Sequence, residues 1–271
     1  MQSVLNRFGL ARAPFTKEFP SSELFAPAAH SDAIARLTSA IEVRSSGLLI
    51  GESGVGKTCV LRGLQQQLNP ARYRVHYMHH ANVNPRDFYR QLSMVLGLEP
   101  RASPSAMFRM VQAHMEELGD EHKVHPVLLL DEAQLIPFSM LEQLHILLNF
   151  RMDSRAFLSI VLVGLPELRE KLARNVLSSL SSRLPARIHL DALPASDVGD
   201  YLRHRLKIAG SSQEVFSEDA VLAIREATAG VLRKVDILAQ NCLDVVARGS
   251  GALVDGTVVL DAVVECAEAL R

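Results

Sequence analysis

The chain has 271 residues, 48% of them hydrophobic, enough for one large domain or a medium domain with a small one. Its 29 Lys and Arg against 30 Asp and Glu leave a formal charge of −1, so any contact with nucleic acid must be local. Three widely spaced cysteines, Cys59, Cys242 and Cys266, form no C-x-x-C; they read as buried small residues in a reducing compartment, not as metal ligands or disulfides.

Residues 1–30 read as an irregular strap, with Pro14, Pro20 and Pro27 set among Phe8, Phe15, Phe19 and Phe25. The opening stretch lacks the apolar core of a signal peptide, and no apolar run reaches the ~18 residues of a membrane span. A cytoplasmic protein without direct membrane insertion is the expectation. His30 to Arg44 has helical periodicity, with Ile34, Leu37 and Ile41 on one face. Gly47-Leu48-Leu49-Ile50 then reads as a short buried strand.

That strand runs into Gly51-Glu52-Ser53-Gly54-Val55-Gly56-Lys57-Thr58, which fits G-x-x-x-x-G-K-[ST], the phosphate-cradling loop of nucleoside triphosphatases. The residues from Thr58 to Leu64 have the period of a helix start. Glycines let the backbone curl so that its N–H groups face phosphate oxygens, and the helix N-terminus adds its positive dipole end. Lys57 would reach the β- and γ-phosphates, and Thr58 would place its hydroxyl on Mg²⁺. Cys59, directly behind the loop, completes the nucleotide-binding segment; alkylating it would block nucleotide unless it only packs the core. A glycine-rich turn that binds nothing is the plain alternative, and a full match between strand and helix argues against it.

Tyr73 to Met78 alternates as a strand, and Asn84-Pro85-Arg86-Asp87 opens a helix with Phe88, Leu92, Val95 and Leu96 on its apolar side. His76, His79 and His80 have no carboxylate or cysteine at ligand spacing, so no zinc site is expected there. After a break at Gly97–Pro104, Met107 to Leu118 is helical, and Gly119 to Pro126 leads into Val127-Leu128-Leu129-Leu130-Asp131-Glu132. An apolar run ending in two carboxylates reads as a buried parallel strand that delivers acids at its C-terminal edge, where ligands bind in open α/β sheets. Asp131 is placed to hold the Mg²⁺ shell and Glu132 to polarise the attacking water. Alone, such a pair more often caps a helix. Following a phosphate loop, it reads as the Walker B partner, and hydrolysis becomes the expectation.

Ser139 to Phe150 reads as a helix and Leu158 to Gly164 as a strand, so strands alternate with helices as in a parallel α/β sheet. Beyond Leu193-Pro194 there is no strong strand, only helical segments at 197–209, 217–229, 231–248 and 257–270. Ser217 and Asp255 stand near helix starts, and Gly210, Gly230 and Gly249 where helices should stop. The organisation expected is a strap over 1–30, an α/β nucleotide domain over 31–194 and a helical lid over 195–271, with nucleotide in the crevice between the last two.

Over nearly its whole length the chain resembles AAA+ ATPases of the ExeA-like branch. Phe8-Gly9-Leu10, Pro14-Phe15 and Leu24-Phe25 resemble that branch's opening signature; Gly51–Thr58 and Asp131-Glu132-Ala133-Gln134 are similar to its nucleotide motifs. The resemblance implies a P-loop NTPase parallel sheet flanked by helices (AAA+), a small all-helical lid, and ATP with Mg²⁺. Val163-Gly164-Leu165-Pro166-Glu167-Leu168 resembles the sensor-1 segment, although Leu165 stands where that branch carries a polar side chain and cannot hydrogen-bond a phosphate or water. Ser182-Arg183-Leu184 is similar to the arginine-finger segment, implying that Arg183 completes a neighbouring subunit's site. Arg187 is the nearby alternative, and a surface arginine paired with a carboxylate is the plain one. Gly230-Val231-Leu232-Arg233 resembles the sensor-2 motif, implying that Arg233 reaches the phosphates from the lid.

Short members of the branch resemble ATP-dependent regulators of DNA transposition, relatives of the Mu phage target-selection ATPase and of the ATPases of CRISPR-associated transposons. This implies homo-oligomeric rings or filaments on duplex DNA, with a transposase and an adaptor protein as partners. Arg86, Arg90, Arg101, Arg109 and Lys123 are the candidate DNA contacts, each equally readable as a solvated helix face. The alternative is a secretion or envelope-assembly ATPase acting with a separate membrane partner; a third reading is a slow nucleotide switch.

Overall fold

The alternating apolar runs and amphipathic segments fold as five parallel strands connected through helices in a computed structural model, which describes residues 2–79, 84–211, 213–249, 251 and 253–270. In chain order these are α1 (Gln2–Phe8), α2 (Ala28–Glu42), β1 (Gly47–Ile50), α3 (Lys57–Gln67), β2 (Tyr73–Met78), α4 (Pro85–Val95), α5 (Pro104–Asp120) and β3 (His125–Leu130). They continue with α6 (Phe138–Leu147), β4 (Ser159–Gly164), α7 (Glu167–Leu172), α8 (Ser178–Ser181), β5 (Ala186–His189), α9 (Ala195–Ile208), α10 (Glu218–Thr228), α11 (Leu232–Arg248) and α12 (Gly256–Glu265).

The chain divides into two compact units, one formed by 30–53 with 57–190, the other by 1–29, 54–56 and 191–271. The first holds the sheet, ordered β2-β3-β4-β1-β5. Every residue of β1, β3 and β4 is buried, as expected of strands covered on both faces. The register sets Ile50 beside Gly164, Leu130 beside Leu162 and Met78 beside Leu130, so the strands that carry the motifs end together along one edge. Phe88, Leu92, Met107, Val111, Met140, Leu144 and Phe157 pack with the strand side chains in one apolar core.

The second unit packs α9–α12 with the N-terminal segment. Val4, Phe8 and Leu10 enter the same core as Leu202, Ile224, Leu238 and Leu243. The buried Arg205 donates through Nε to the carbonyl of Pro14 at 2.7 Å, and its guanidinium lies 4.3 Å from the centre of the Phe19 ring. Ser217 caps α10 and Asp255 caps α12, each side chain accepting from the backbone N–H three residues on. Gly210 and Gly230 follow α9 and α10 with φ of +103° and +73°. Gly249 ends α11 at φ −95°, without the left-handed turn.

Several sequence expectations are corrected. Residues 1–30 are not wholly irregular, because Gln2–Phe8 is helical with Val4 and Phe8 buried. On α4 the buried stripe is Phe88, Tyr89, Leu92, Ser93 and Leu96, centred further round the helix than expected, which leaves Val95 exposed. Gly119 lies within α5, and the following strand starts at His125 with Pro126 inside it. The proline is tolerated because His125 N–H bonds toward β2, so the next N–H would face β4, whose pairing begins only at Val127. Helix α6 ends at Leu147: Arg151, Met152 and Asp153 all adopt positive φ, and Phe150 bridges Arg155 across that turn. Helix α12 stops at Glu265, and β5, not expected from the sequence, closes one sheet edge.

Candidate nucleotide-binding site

The phosphate loop has the backbone its glycines were expected to permit, with φ of +86° at Gly54 and +100° at Gly56. Lys57, at the first position of α3, is buried, and its Nζ donates to the carbonyls of Gly51 at 2.7 Å and Glu52 at 2.9 Å. The ammonium is therefore folded back over the loop. Val55 is buried, Glu52, Ser53 and Thr58 are exposed, and Cys59 is half-buried at the start of α3. Gly51 N–H donates to the carbonyl of Gly164 at 3.2 Å, joining the end of β1 to the end of β4.

The carboxylates sit at the C-terminal edge of β3. Asp131 is 6% exposed; its Oδ2 accepts from the Tyr77 hydroxyl at 2.9 Å and its Oδ1 from the Glu132 N–H at 2.9 Å. A carboxylate offers about four lone pairs, so these bonds orient Asp131 without exhausting it. With the Thr58 hydroxyl it supplies the hard oxygen donors that Mg²⁺ takes, and the residues fit that ion. Burial, followed by the Asp131 charge, pushes the Tyr77 pKa well up, so the phenol stays a neutral donor.

Glu132 adopts a left-handed backbone, φ 53° and ψ 35°, which costs a non-glycine residue about 1 kcal/mol. Its side chain caps no helix: although it precedes the 3₁₀ turn Ala133–Leu135, it makes no capping bond. Instead Oε2 accepts from Gln134 Nε2 at 2.7 Å. The other end of that carboxamide, Oε1, accepts from the backbone N–H of Leu165 at 3.2 Å. Tyr77 and Gln134 were not assigned roles by sequence reasoning. Gln134 stood within the recognised acidic motif, and Tyr77 stood one residue before a strand end.

The remaining candidates are placed as follows. Arg183, just after α8, makes a bidentate pair with Asp153 at 2.7 and 2.8 Å. Arg187, on β5, is held by the carbonyls of Leu184 and Ser181 and by the Ser181 hydroxyl. Arg233 is the second residue of α11, and its N–H donates to the carbonyl of Gly54 at 3.1 Å, both residues falling in the second unit. A side chain on Gly54 would meet the Arg233 Cβ at 2.8 Å, so this approach requires glycine. Arg86, Arg90, Arg101, Arg109 and Lys123 are all exposed. They do not form one cluster: Arg101 precedes α5 and Lys123 follows it, so a helix of roughly 25 Å separates them. His79 stacks on Tyr77, and His76 faces the Val95 carbonyl; His80 lies outside the described residues. Among the described residues, no helix is long and apolar enough to cross a membrane.

Comparison with known proteins agrees with this fold. Residues 41–172 match the family model described as an AAA domain. The chain is 32% identical over 259 residues to general secretion pathway protein A of Aeromonas hydrophila, an alignment covering 94% of this chain and 47% of that protein. It thus spans about half the length of that curated relative. Among solved structures, Cdc6p of Pyrobaculum aerophilum superposes with a TM-score of 0.69 at 19% identity, covering 93% of this chain and 70% of that one. The Aeropyrum pernix ORC1 protein in complex with DNA gives 0.64 at 18% identity, covering 93% and 68%. The loop on β1, the acids on β3 and the parallel sheet between helices give this chain the P-loop AAA+ fold, with an AAA domain matched over residues 41–172 and similarity to general secretion pathway protein A.

Proposed function

We propose that the chain hydrolyses ATP at the edge shared by β1, β4 and β3, and uses the cycle in secretion or envelope assembly together with a separate membrane partner. The observation that carries hydrolysis is the buried Asp131 followed by an exposed, non-capping Glu132, with β4 between their strand and the one that leads into the Lys57 loop. Gly51 to Cys59 would hold the phosphates, with Lys57 as the point charge on the β- and γ-oxygens. Thr58 and Asp131 would hold Mg²⁺, which when bound neutralises charge on those oxygens. Glu132 would orient and polarise the attacking water. Arg183 is assigned as a finger acting on a neighbouring subunit and Arg233 as the lid's sensor, so the active form is a homo-oligomer.

The secretion assignment rests on the relative whose similarity covers 94% of this chain. It reverses the order of the two readings made from sequence, since nothing in the comparisons supports a transposase or an adaptor as partner. Binding to duplex DNA remains a second reading, supported by the exposed Arg86, Arg90, Arg101 and Arg109 and by a fold shared with a DNA-bound ORC1 protein. One experiment separates them: ATP turnover by the purified chain with and without plain duplex DNA at low salt, beside co-sedimentation with membranes from the source cells. Membrane-dependent recruitment without DNA stimulation supports the secretion reading. Severalfold stimulation by DNA, with log affinity falling against log salt by about 0.9 per phosphate neutralised, supports the other. Absence of turnover under every condition removes the hydrolytic reading.

A further inference from the structure

We propose that Gln134 is the positioning residue of this site, coupling the orientation of the Glu132 carboxylate to the end of β4 through the backbone N–H of Leu165. The inference rests on Glu132 acting on water, as set out above. Its starting point is a mismatch in chemistry. Leu165 follows the end of β4 beside the acidic turn, and its side chain has nothing to donate. The backbone N–H of the same residue donates instead, 3.2 Å from Gln134 Oε1, while Gln134 Nε2 donates to Glu132 Oε2 at 2.7 Å.

The two ends of this bridge demand opposite partners. A backbone N–H only donates and an ionised carboxylate only accepts, so the side chain between them must offer one acceptor and one donor. A carboxamide does this, and the two contacts fix which end is oxygen. A glutamate at 134 would face Glu132 with like charge; an apolar side chain would leave the exposed Glu132 carboxylate held only by solvent and the half-buried Leu165 N–H without its acceptor. The bridge is also held from behind: Lys171 Nζ donates to the Gln134 carbonyl at 3.0 Å and to the Ile136 carbonyl, so the turn carrying Gln134 is pinned to α7. At the front, a Cβ on Gly164 would lie 2.5 Å from Gln134 Oε1, so the carboxamide occupies space that only glycine leaves. The left-handed backbone of Glu132 lets its carboxylate face this bridge. Oε2 is tied to Gln134, so the orientation of the whole carboxylate follows the end of β4.

The test compares Gln134→Met, Gln134→His and Gly164→Ala with the wild type and with Glu132→Gln, measuring kcat, KM, affinity for a fluorescent ATP analogue and amide exchange at Leu165. Gln134→Met should lower kcat by roughly tenfold to a hundredfold, the scale of one hydrogen bond to a charged group, with nucleotide affinity within about threefold. The Leu165 amide should exchange faster. Neutral histidine offers one donor and one acceptor, so Gln134→His should recover much of the loss, whereas Gly164→Ala should reproduce it by displacing the carboxamide. Should Gln134→Met fail to fold, the contrast between Gln134→His and Gly164→Ala carries the test alone. Wild-type kcat in Gln134→Met or in Gly164→Ala, or an equal loss in Gln134→Met and Gln134→His, overturns the inference while Glu132→Gln stays inactive. An active Glu132→Gln instead overturns the hydrolytic role on which it rests.

Discussion

The Tyr77 hydroxyl, at the end of β2, donates a 2.9 Å hydrogen bond to Oδ2 of Asp131, at the end of the neighbouring β3. The bond aims a nearly buried carboxylate and ties its orientation to the edge strand of the sheet. Tyr77→Phe keeps the ring and deletes the donor. The half-saturating Mg²⁺ concentration for ATP turnover is expected to rise roughly tenfold, while turnover at saturating Mg²⁺ is largely kept. A Mg²⁺ titration checks this, and an unchanged curve removes Tyr77 from the site.

Glu132→Gln is expected to bind ATP normally and to lose turnover by at least about a hundredfold, because a neutral amide cannot polarise water as a carboxylate does. Lys57→Ala should fail at the earlier step, with ATP affinity reduced by about tenfold or more through loss of a charged phosphate contact. Equilibrium binding and steady-state turnover on the two variants separate the roles. Undiminished hydrolysis in Glu132→Gln would falsify its assignment.

The bidentate bond to Asp153 holds Arg183 within its own subunit, and Arg183 in turn keeps the Asp153 carboxyl below the usual carboxylate range. If Arg183 serves a neighbour, this pair must open when subunits dock. Arg183→Ala should reduce turnover by roughly a thousandfold, the scale of an arginine finger. Mixing it with Glu132→Gln subunits should restore part of the activity. Asp153→Ala should shift the activity onset to protein concentrations lower by up to about fivefold, since an exposed pair is weak. Wild-type turnover in Arg183→Ala would transfer the question to Arg187.

A pH effect is expected far from the nucleotide. His125 is buried at the start of β3, with Nε2 against the Ser159 hydroxyl at 2.9 Å. Burial, aided by the Arg44 charge, pushes its pKa down to about 4 from 6.5. The unfolded chain therefore takes up a proton below pH 6.5 that the folded chain refuses until about pH 4. The stability present above pH 6.5 is lost across that window, amounting to about 2 kcal/mol at pH 5. Denaturant unfolding at pH 7 and pH 5 should show this slope, and His125→Gln should flatten it. An identical slope in the variant would place the acid sensitivity elsewhere.

What could be read from the chain by itself was whatever is encoded within a few neighbouring residues. The loop Gly51–Thr58 announces itself because glycine spacing sets its backbone and Lys57 its charge. Asp131 and Glu132 are legible because they end an apolar run that follows the phosphate loop, since alone such a pair more often caps a helix. The capped helices α10 and α12 were legible from Ser217 and Asp255 for the same local reason. The helix α1 and the strand β5 were not: β5 buries only Ile188 of its four residues, so its pattern carries almost no signal. The partners of the acids were out of reach altogether. Tyr77 meets Asp131 only because β2 and β3 pair in parallel with Met78 beside Leu130, and Gln134 meets Leu165 only because β4 lies between β3 and β1. Strand order and register arise from how the whole core packs, and no short stretch of sequence contains them.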